Sequence, residues 1–165
     1  MFKYSSAKPY CLVKNCQGFS LIEMVIIVAI IGILSAVAIP NMIGWRGEAQ
    51  LSGAARNFYS DMQLARLKAI REAEDISILI DPLNNSYSIF IDSNSDSIHD
   101  AGEAMVVSKD MKSGINIVST TFAGDRTQFD SRGRPNITGR VTFQNISGTV
   151  IEVSLNPIGR IRIEI

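Results

Sequence analysis

The sequence predicts an α+β protein in which one long N-terminal helix packs on an antiparallel β-sheet head. Three observations predict this fold class. Residues 19–39 form an almost unbroken apolar run, an apolar stripe of helical spacing continues to Arg71, and residues 72–165 divide into short segments rich in Ile, Val, Thr and Phe. With 165 residues and 46% apolar content, the chain is large enough to bury a core of its own.

The apolar run is interrupted only by Ser20, Glu23, Gly32 and Ser35. About 20 apolar residues are what a helix needs to cross roughly 30 Å of hydrocarbon. The 18 residues before the run carry three Lys and no acid, which places them on the cytoplasmic side of a membrane and the rest of the chain beyond it. A carboxylate in a spanning helix costs about 2.5–3.5 kcal/mol, so Glu23 is a candidate functional residue.

A second helical segment follows Pro40. Its apolar residues recur at spacings of three and four, which is the pattern of one apolar stripe on an amphipathic helix. They are Leu51, Ala55, Phe58, Met62, Ala65 and Ala69. Because helical spacing resumes after Pro40, this proline is expected to kink the helix rather than end it.

Eight short segments after the helix predict strands, because they are rich in β-branched and aromatic residues and are separated by Gly, Pro and Asn. Antiparallel sheets packed on the second half of the helix are the expected architecture. The segments are Ile76–Asp81, Ser86–Asp92, Ala104–Ser108, Ile115–Thr120, Gln128–Asp130, Arg140–Asn145, Thr149–Leu155 and Ile158–Ile165.

The charges balance overall but are zoned along the chain. Sixteen basic and sixteen acidic residues give no net charge, which by itself indicates neither a nucleic-acid nor a membrane partner. Residues 72–103 carry eight acids and no Lys or Arg, whereas six Arg follow Asp125. Both cysteines lie in the first 18 residues and His99 is the only histidine. If those 18 residues are removed, no thiol remains for a disulfide framework or a Cys-ligated metal site. A single His disfavours a His-rich zinc site and a Ser-His-Asp triad.

The hexapeptide Gly18-Phe19-Ser20-Leu21-Ile22-Glu23 stands between the Lys-rich segment and the apolar run, and Pro40 follows the run. Together these features resemble the N-terminus of type IV pilins and type II secretion pseudopilins. The resemblance implies that a prepilin peptidase and methyltransferase cuts between Gly18 and Phe19 and N-methylates Phe19. It also implies a bacterial inner-membrane subunit with a cytoplasmic N-terminus and a periplasmic head, which joins other pilins or pseudopilins in a filament through its helix.

This resemblance divides the chain into a cleaved leader at 1–18, an assembly helix at 19–40, an amphipathic helix at 41–71 and a β-rich head at 72–165. Glu23 then has two candidate roles. It neutralises the free amine of Phe19 on a neighbouring subunit, or it faces its own N-terminus, where the helix dipole favours a carboxylate.

Two other readings of the N-terminus stay open at this point. The first is an ordinary secretory signal peptide, cleaved after the A-x-A sequence Ala36-Val37-Ala38. The second is a single-pass membrane protein that never polymerises.

The head also carries features of a narrower group. Ser86–Asp92 leads into an acidic loop, Phe129–Pro135 contains Arg132-Gly133-Arg134, and Gly159-Arg160-Ile161-Arg162 lies at the end of the chain. These segments resemble the GspH/FimT family of minor pseudopilins and minor pilins. The resemblance implies a structural subunit, not an enzyme, that needs no cofactor and initiates or caps a type II secretion pseudopilus. The alternative is a type IV pilus minor pilin acting in pilus biogenesis or DNA uptake.

The acidic loop between residues 92 and 103 has oxygen side chains at positions 1, 3, 5, 9 and 12, the ligand spacing of an EF-hand calcium loop. These side chains belong to Asp92, Asn94, Asp96, Asp100 and Glu103. Ser97 stands where the EF-hand glycine belongs, and strands rather than helices flank the loop. The alternatives are therefore a calcium loop of another frame and a solvated acidic hairpin loop.

Four arginines near the end of the chain form a candidate phosphate-binding face. They are Arg132, Arg134, Arg160 and Arg162. In some FimT-type pilins a terminal Gly-Arg-x-Arg contributes to DNA binding, and the resemblance carries that role to Arg160 and Arg162. Aromatic residues are sparse nearby, so the alternative is a set of solvent-facing arginines on a strand and a loop.

Overall fold

The computed structural model describes residues 19–164, apart from the side chains of Pro40, Asn41 and Ile43. Gly18 and the predicted leader lie outside the described residues. Over residues 19–164 the secondary structure consists of one helix, eight strands and a 3-10 turn at Ala123–Asp125. The elements are α1 (Leu21–Glu72), β1 (Ile76–Asp81), β2 (Ser86–Ile91), β3 (Met105–Asp110), β4 (Ile115–Thr120), β5 (Arg126–Phe129), β6 (Gly139–Asn145), β7 (Val150–Leu155) and β8 (Ile161–Glu164).

The chain divides into two compact units between Pro40 and Asn41, although α1 does not end there. The described part of the first unit is the apolar run. Its large apolar side chains are exposed, and the most apolar part of the helix is long enough to cross a membrane. Such a surface is not stable in water and requires lipid or other helices to cover it.

The second unit contains two four-stranded antiparallel sheets, which we call the first and second sheets. The strand order is β3-β2-β1-β5 in the first and β4-β6-β7-β8 in the second. The six stripe residues predicted from their spacing are at most 1% exposed. Phe58 joins the layers, because its ring lies 4.9 Å from that of Tyr87 in β2 and 5.4 Å from that of Phe143 in β6. The predicted architecture of a helix packed on antiparallel sheets is confirmed.

The strands differ from the predictions mainly at their ends. The last strand begins at Ile161 rather than Ile158, because residues 156–159 form a turn in which Gly159 N donates to Asn156 O at 2.9 Å. β3 runs to Asp110 rather than Ser108, since Asp110 pairs with Ser86 at the far end of β2. Pairing with a neighbouring strand decides these ends, and local propensity does not encode it.

Asn85 links the two sheets. It sits in the β1–β2 turn with φ +54, a conformation that Asn adopts more readily than most residues. Its side-chain amide donates to Ile115 O at 2.9 Å and accepts from Ile117 N at 2.7 Å. The amide thus acts like a peptide group of a neighbouring strand and fixes β4 beside the first sheet.

Candidate functional site

The start of α1 carries the predicted assembly residues. Phe19 is 75% exposed, and Glu23 is an exposed acid in the first turn of the helix. Met24 N donates to Ser20 O at 3.2 Å, so helical hydrogen bonding reaches back to Ser20. The carboxylate of Glu23 therefore lies at the positive end of the helix dipole, within an otherwise apolar surface. Gly18, the predicted residue before the cut, is outside the described residues.

Asp92 anchors the acidic loop to the head. It is 1% exposed, and its Oδ2 accepts hydrogen bonds from Ser77 Oγ at 2.6 Å and Ser97 N at 2.8 Å. Gln128 Nε2 also donates to this oxygen, at 3.2 Å. A buried carboxylate is tolerable only with such partners, so the first role of Asp92 is to hold the loop against β1 and β5.

The other four candidate calcium ligands lie in the same loop, but their oxygens point to protein donors. Asn94 Nδ2 donates to Asp96 and to Asp100, at 3.0 Å each. The Glu103 carboxylate accepts from the backbone of Ser93 and of Asp100, also at 3.0 Å each. Within residues 19–164, no group of three or more His, Cys, Asp or Glu is arranged to hold a metal ion. Both alternatives for the acidic loop, a calcium loop and a solvated hairpin loop, stay predictions.

Asp130 organises the loop that carries Arg132 and Arg134. Its Oδ1 accepts from the backbone N–H of Arg132 at 2.9 Å and of Arg134 at 2.8 Å, and the Arg134 guanidinium pairs with Oδ2 at 3.1 Å. Desolvation raises the pKa of Asp130, but the hydrogen bonds from Arg134 and Arg132 and the charge of Arg134 outweigh it, so this pKa lies below its usual range. One of the four arginines is therefore already paired.

This loop packs against the turn that leads into Arg160. A Cβ on Gly159 would lie 2.6 Å from Gly133 O, and Arg66 Nε donates to the same oxygen at 2.9 Å. Both glycines have positive φ, +72 at Gly133 and +75 at Gly159. Sequence reasoning missed Arg66, because nothing in a helical heptad indicates which loop a long side chain will reach.

We call the four residues Arg132, Arg134, Arg160 and Arg162 the arginine surface. The close approach of the loop and the turn brings its two halves together. All four residues are exposed. Among the described residues, only Arg134 of the four forms an ion pair. The arginine surface thus presents three uncompensated positive charges.

A groove of about 570 Å³ lies between α1 and the end of β3, and the sequence did not reveal it. We define it by the lining residues used below: Trp45, Arg46, Ala49, Gly53, Lys109, Asp110 and Lys112. Two lining residues donate to buried Asp61 behind the groove, Tyr87 from its Oη at 2.5 Å and Lys109 from its Nζ at 2.6 Å. Burial, then the hydrogen bond and charge of Asp61, raise the pKa of Tyr87. This phenol therefore acts as a neutral donor.

Two protein-family models match this chain, one at the N-terminus and one over the head. The model of the family described as type II transport protein GspH matches residues 54–159, and that of the prokaryotic N-terminal methylation motif matches residues 13–39. A fimbrial protein of Pseudomonas aeruginosa is 33% identical over 108 residues, which is 65% of this chain and 69% of that protein. A second fimbrial protein of the same organism is 38% identical over 76 residues, 46% of this chain and 49% of that protein.

Two solved structures share the fold. The minor pseudopilin EpsH of Vibrio cholerae has a TM-score of 0.57 at 12% identity, over 70% of this chain and 96% of that one. The type IV minor pilin FimU of Pseudomonas aeruginosa has a TM-score of 0.56 at 19% identity, over 73% of this chain and 92% of that one. The match to the first family model covers more than half of the chain and the methylation motif overlaps the apolar run. The chain therefore belongs to the GspH family, whose members are pilin-like structural subunits and not enzymes.

Proposed function

We propose that this protein is a minor pseudopilin of a type II secretion system. Prepilin peptidase removes residues 1–18, Phe19 is N-methylated, and the subunit waits in the bacterial inner membrane with its head in the periplasm. It then enters the pseudopilus through α1 and initiates or caps that filament. Its partners in the filament are other pseudopilins.

One observation carries this proposal. A methylation motif at residues 13–39 leads into an exposed apolar helix, and the same chain continues into a head that matches GspH over residues 54–159. A helix surface of this kind is covered first by lipid and then by other helices. Glu23 lies on that surface, where pairing with the amine of a neighbouring Phe19 offsets the cost of both charges.

Intact mass of the protein extracted from membranes tests the processing. The expected product begins at Phe19 and carries one added methyl group, and it retains 13 basic and 16 acidic residues. The variant Gly18→Leu is the matched control, because it changes only the residue before the cut and is expected to leave the leader attached. A product that begins at Ile39 would support a secretory signal peptide and overturn the proposal.

Deletion of the gene in the native host tests whether the protein serves a type II secretion system or a type IV pilus. We expect the deletion strain to lose extracellular enzymes from the medium while its surface pili remain. Re-expression of the chain should restore secretion, and the Gly18→Leu variant should not. Loss of pili with normal secretion would assign the chain to a type IV pilus, as the FimU-like fold and the fimbrial relative also allow.

A second candidate function, DNA binding by a type IV minor pilin, is favoured by the contact between Gly133 and Gly159, which joins the two halves of the arginine surface. The head at residues 41–165 is the fragment to test, since the buried core lies within it. Arg160→Ala with Arg162→Ala should weaken DNA binding and make its salt dependence flatter. The slope of log affinity against log salt concentration should become less negative by about two. Arg140→Ala is the control, because Arg140 already pairs with Glu152 at 2.9 Å. Absence of binding by the unchanged head at low salt would rule this function out.

A further inference from the structure

We propose that the groove beside α1 is a docking site for the acidic loop of a second copy of this chain, so that heads associate head to tail. This contact between heads is separate from assembly through the N-terminal helix. It does not rest on which machine the protein serves.

The floor of the groove is apolar and open. Trp45 is 68% exposed, and Ala49 and Gly53 follow it on the same helical face at intervals of four residues. A Cβ placed on Gly53 would have no atom within 4 Å. The floor can therefore accept an aliphatic side chain from outside without displacing any residue.

The rim of the groove is mainly basic. Arg46 and Lys112 are exposed, and neither forms an ion pair with any described residue. Lys109 is held by Asp61, and Asp110 is the acidic residue of the lining. The two uncompensated cations favour an occupant that brings carboxylates.

A neighbouring cleft of about 310 Å³ holds a donor without an acceptor, and it shares Arg46 with the groove. Asn145 lines this cleft, and its Oδ1 accepts from Thr149 N at 2.9 Å. Asn145 Nδ2 is buried and has no hydrogen-bond partner among the described residues. An oxygen acceptor is what this donor requires, which agrees with the charge of the rim.

The acidic loop is the complement of the groove. Ile98 is 54% exposed and lies between two exposed carboxylates, those of Asp96 and Asp100. The loop is preorganised, since Ile98 N donates to Asp96 at 2.7 Å and Asn94 bridges the two carboxylates. Ile98 therefore fits the apolar floor, while its two acidic neighbours reach Arg46 and Lys112.

One head cannot fill its own groove. Ser95 Oγ donates to Asp75 at 2.7 Å, so the acidic loop lies beyond the end of α1 at Glu72. Ala49 lies 23 residues before Glu72, which is about 35 Å along a helix at roughly 1.5 Å per residue. The loop and the groove are at opposite ends of the head. A contact between them in two copies is heterologous, so it leaves one groove and one acidic loop free at the two ends of the pair.

Disulfide cross-linking of the full chain in membranes tests the contact. Ile98→Cys and Ala49→Cys are introduced into a Cys11→Ser, Cys16→Ser background, in a host that lacks other pilins. Because a disulfide needs Cα atoms within about 7 Å, the two new cysteines cannot join within one chain. We expect mild oxidation to give dimers and higher multimers, whereas Ile98→Cys paired with Arg162→Cys on β8 should give none above background.

Charge reversal and groove filling test the chemistry. Asp96→Lys with Asp100→Lys, or Arg46→Glu with Lys112→Glu, should each reduce cross-linking about tenfold or more, because like charges then face each other. All four changes together should restore it. Gly53→Leu should also reduce it by occupying the floor, although Leu has the higher helix propensity and its Cβ would have no atom of the head within 4 Å.

Absence of cross-linking between positions 98 and 49 would overturn the proposal, and so would cross-linking that the charge reversals leave unchanged. Cross-linking that appears only when another pilin is present, and joins this chain to it, would assign the groove to that subunit instead. Intact mass from the same membranes separates this result from the proposed function. Correct processing at Phe19 without head cross-linking would remove the docking inference alone.

Discussion

Single polar residues, two of them buried and one half-buried, fix the geometry of the head surfaces. Asp92 holds the acidic loop, Asp61 joins α1 to Tyr87 and Lys109, and Asn85 joins the two sheets. Each has short hydrogen bonds to residues far away in the chain, and a buried polar group without such partners costs about 1–3 kcal/mol. These side chains specify where each loop lies, whereas apolar burial supplies most of the stability.

Asp130 should make the stability of the head depend on pH in the acid range. Its pKa is lowered in the folded state, so its contribution is fully present above about pH 4, the ordinary value of an Asp carboxyl, and is lost as pH falls through the folded pKa. Asp130→Asn should therefore flatten the acid limb of a plot of unfolding free energy against pH, measured by urea denaturation. Asp125→Asn, which changes an exposed carboxylate nearby, is the control, and an equal flattening there would contradict this assignment.

Gly159 should tolerate a side chain far less well than Gly148. Both have positive φ, so either change to Ala costs roughly 1–2 kcal/mol of backbone strain. A Cβ on Gly159 would also lie 2.6 Å from the backbone oxygen of Gly133, whereas one on Gly148 would meet nothing within 4 Å. Gly159→Ala should cost about 2–4 kcal/mol in total by thermal denaturation, and equal losses would mean that the loop and the turn separate easily.

Among the secondary-structure elements, α1 shows how one helix serves two environments. Its first half exposes apolar side chains all round, while its second half buries only one stripe under the two sheets. The loops between strands then carry the charged surfaces. The acidic loop follows β2, and the loop that carries Arg132 and Arg134 follows β5, so the positions of both loops depend on how those strands pair.

Calcium should leave the melting temperature of the head unchanged. The Asp92 carboxylate already accepts hydrogen bonds from Ser77, Ser97 and Gln128, and the amide of Asn94 lies between Asp96 and Asp100. Binding would raise the melting temperature by mass action, which differential scanning calorimetry detects. A calcium-dependent rise that Asp96→Ala with Asp100→Ala abolishes would establish a calcium loop. Asp92 is unsuitable for this test, because its loss would destabilise the loop directly.

At the scale of the whole molecule, the chain places separate tasks in separate units. The unit up to Pro40 supplies the apolar helix surface, and the unit from Asn41 contains the entire described core. The two predicted binding surfaces, basic and acidic, belong to the second unit only. Changes in the head should therefore leave membrane insertion and processing unaffected.

Glu23→Val should separate insertion from assembly. Removal of a charge from the apolar run makes insertion easier, so cleavage after Gly18 and membrane extraction should be unchanged. Recovery of the chain in sheared filaments should fall, because the amine of a neighbouring Phe19 loses its partner. Glu48→Val, which removes an exposed acid from the head part of α1, is the control. Normal recovery of the Glu23→Val chain would leave only the helix-dipole role.

The sequence by itself determined the features that depend on local pattern. The spacing of Leu51, Ala55 and Phe58 identified the buried face of α1, and the N-terminal hexapeptide with its apolar run indicated a pilin-like subunit, because period and motif are properties of neighbouring residues. Tertiary structure decided the rest. The pairing of strands set the start of β8, and the groove arose between α1 and β3. Arg66 donates to Gly133 O, where the loop with Arg132 and Arg134 meets the turn before Arg160. These features join residues far apart in the chain, and no local pattern records which distant backbone a side chain will meet.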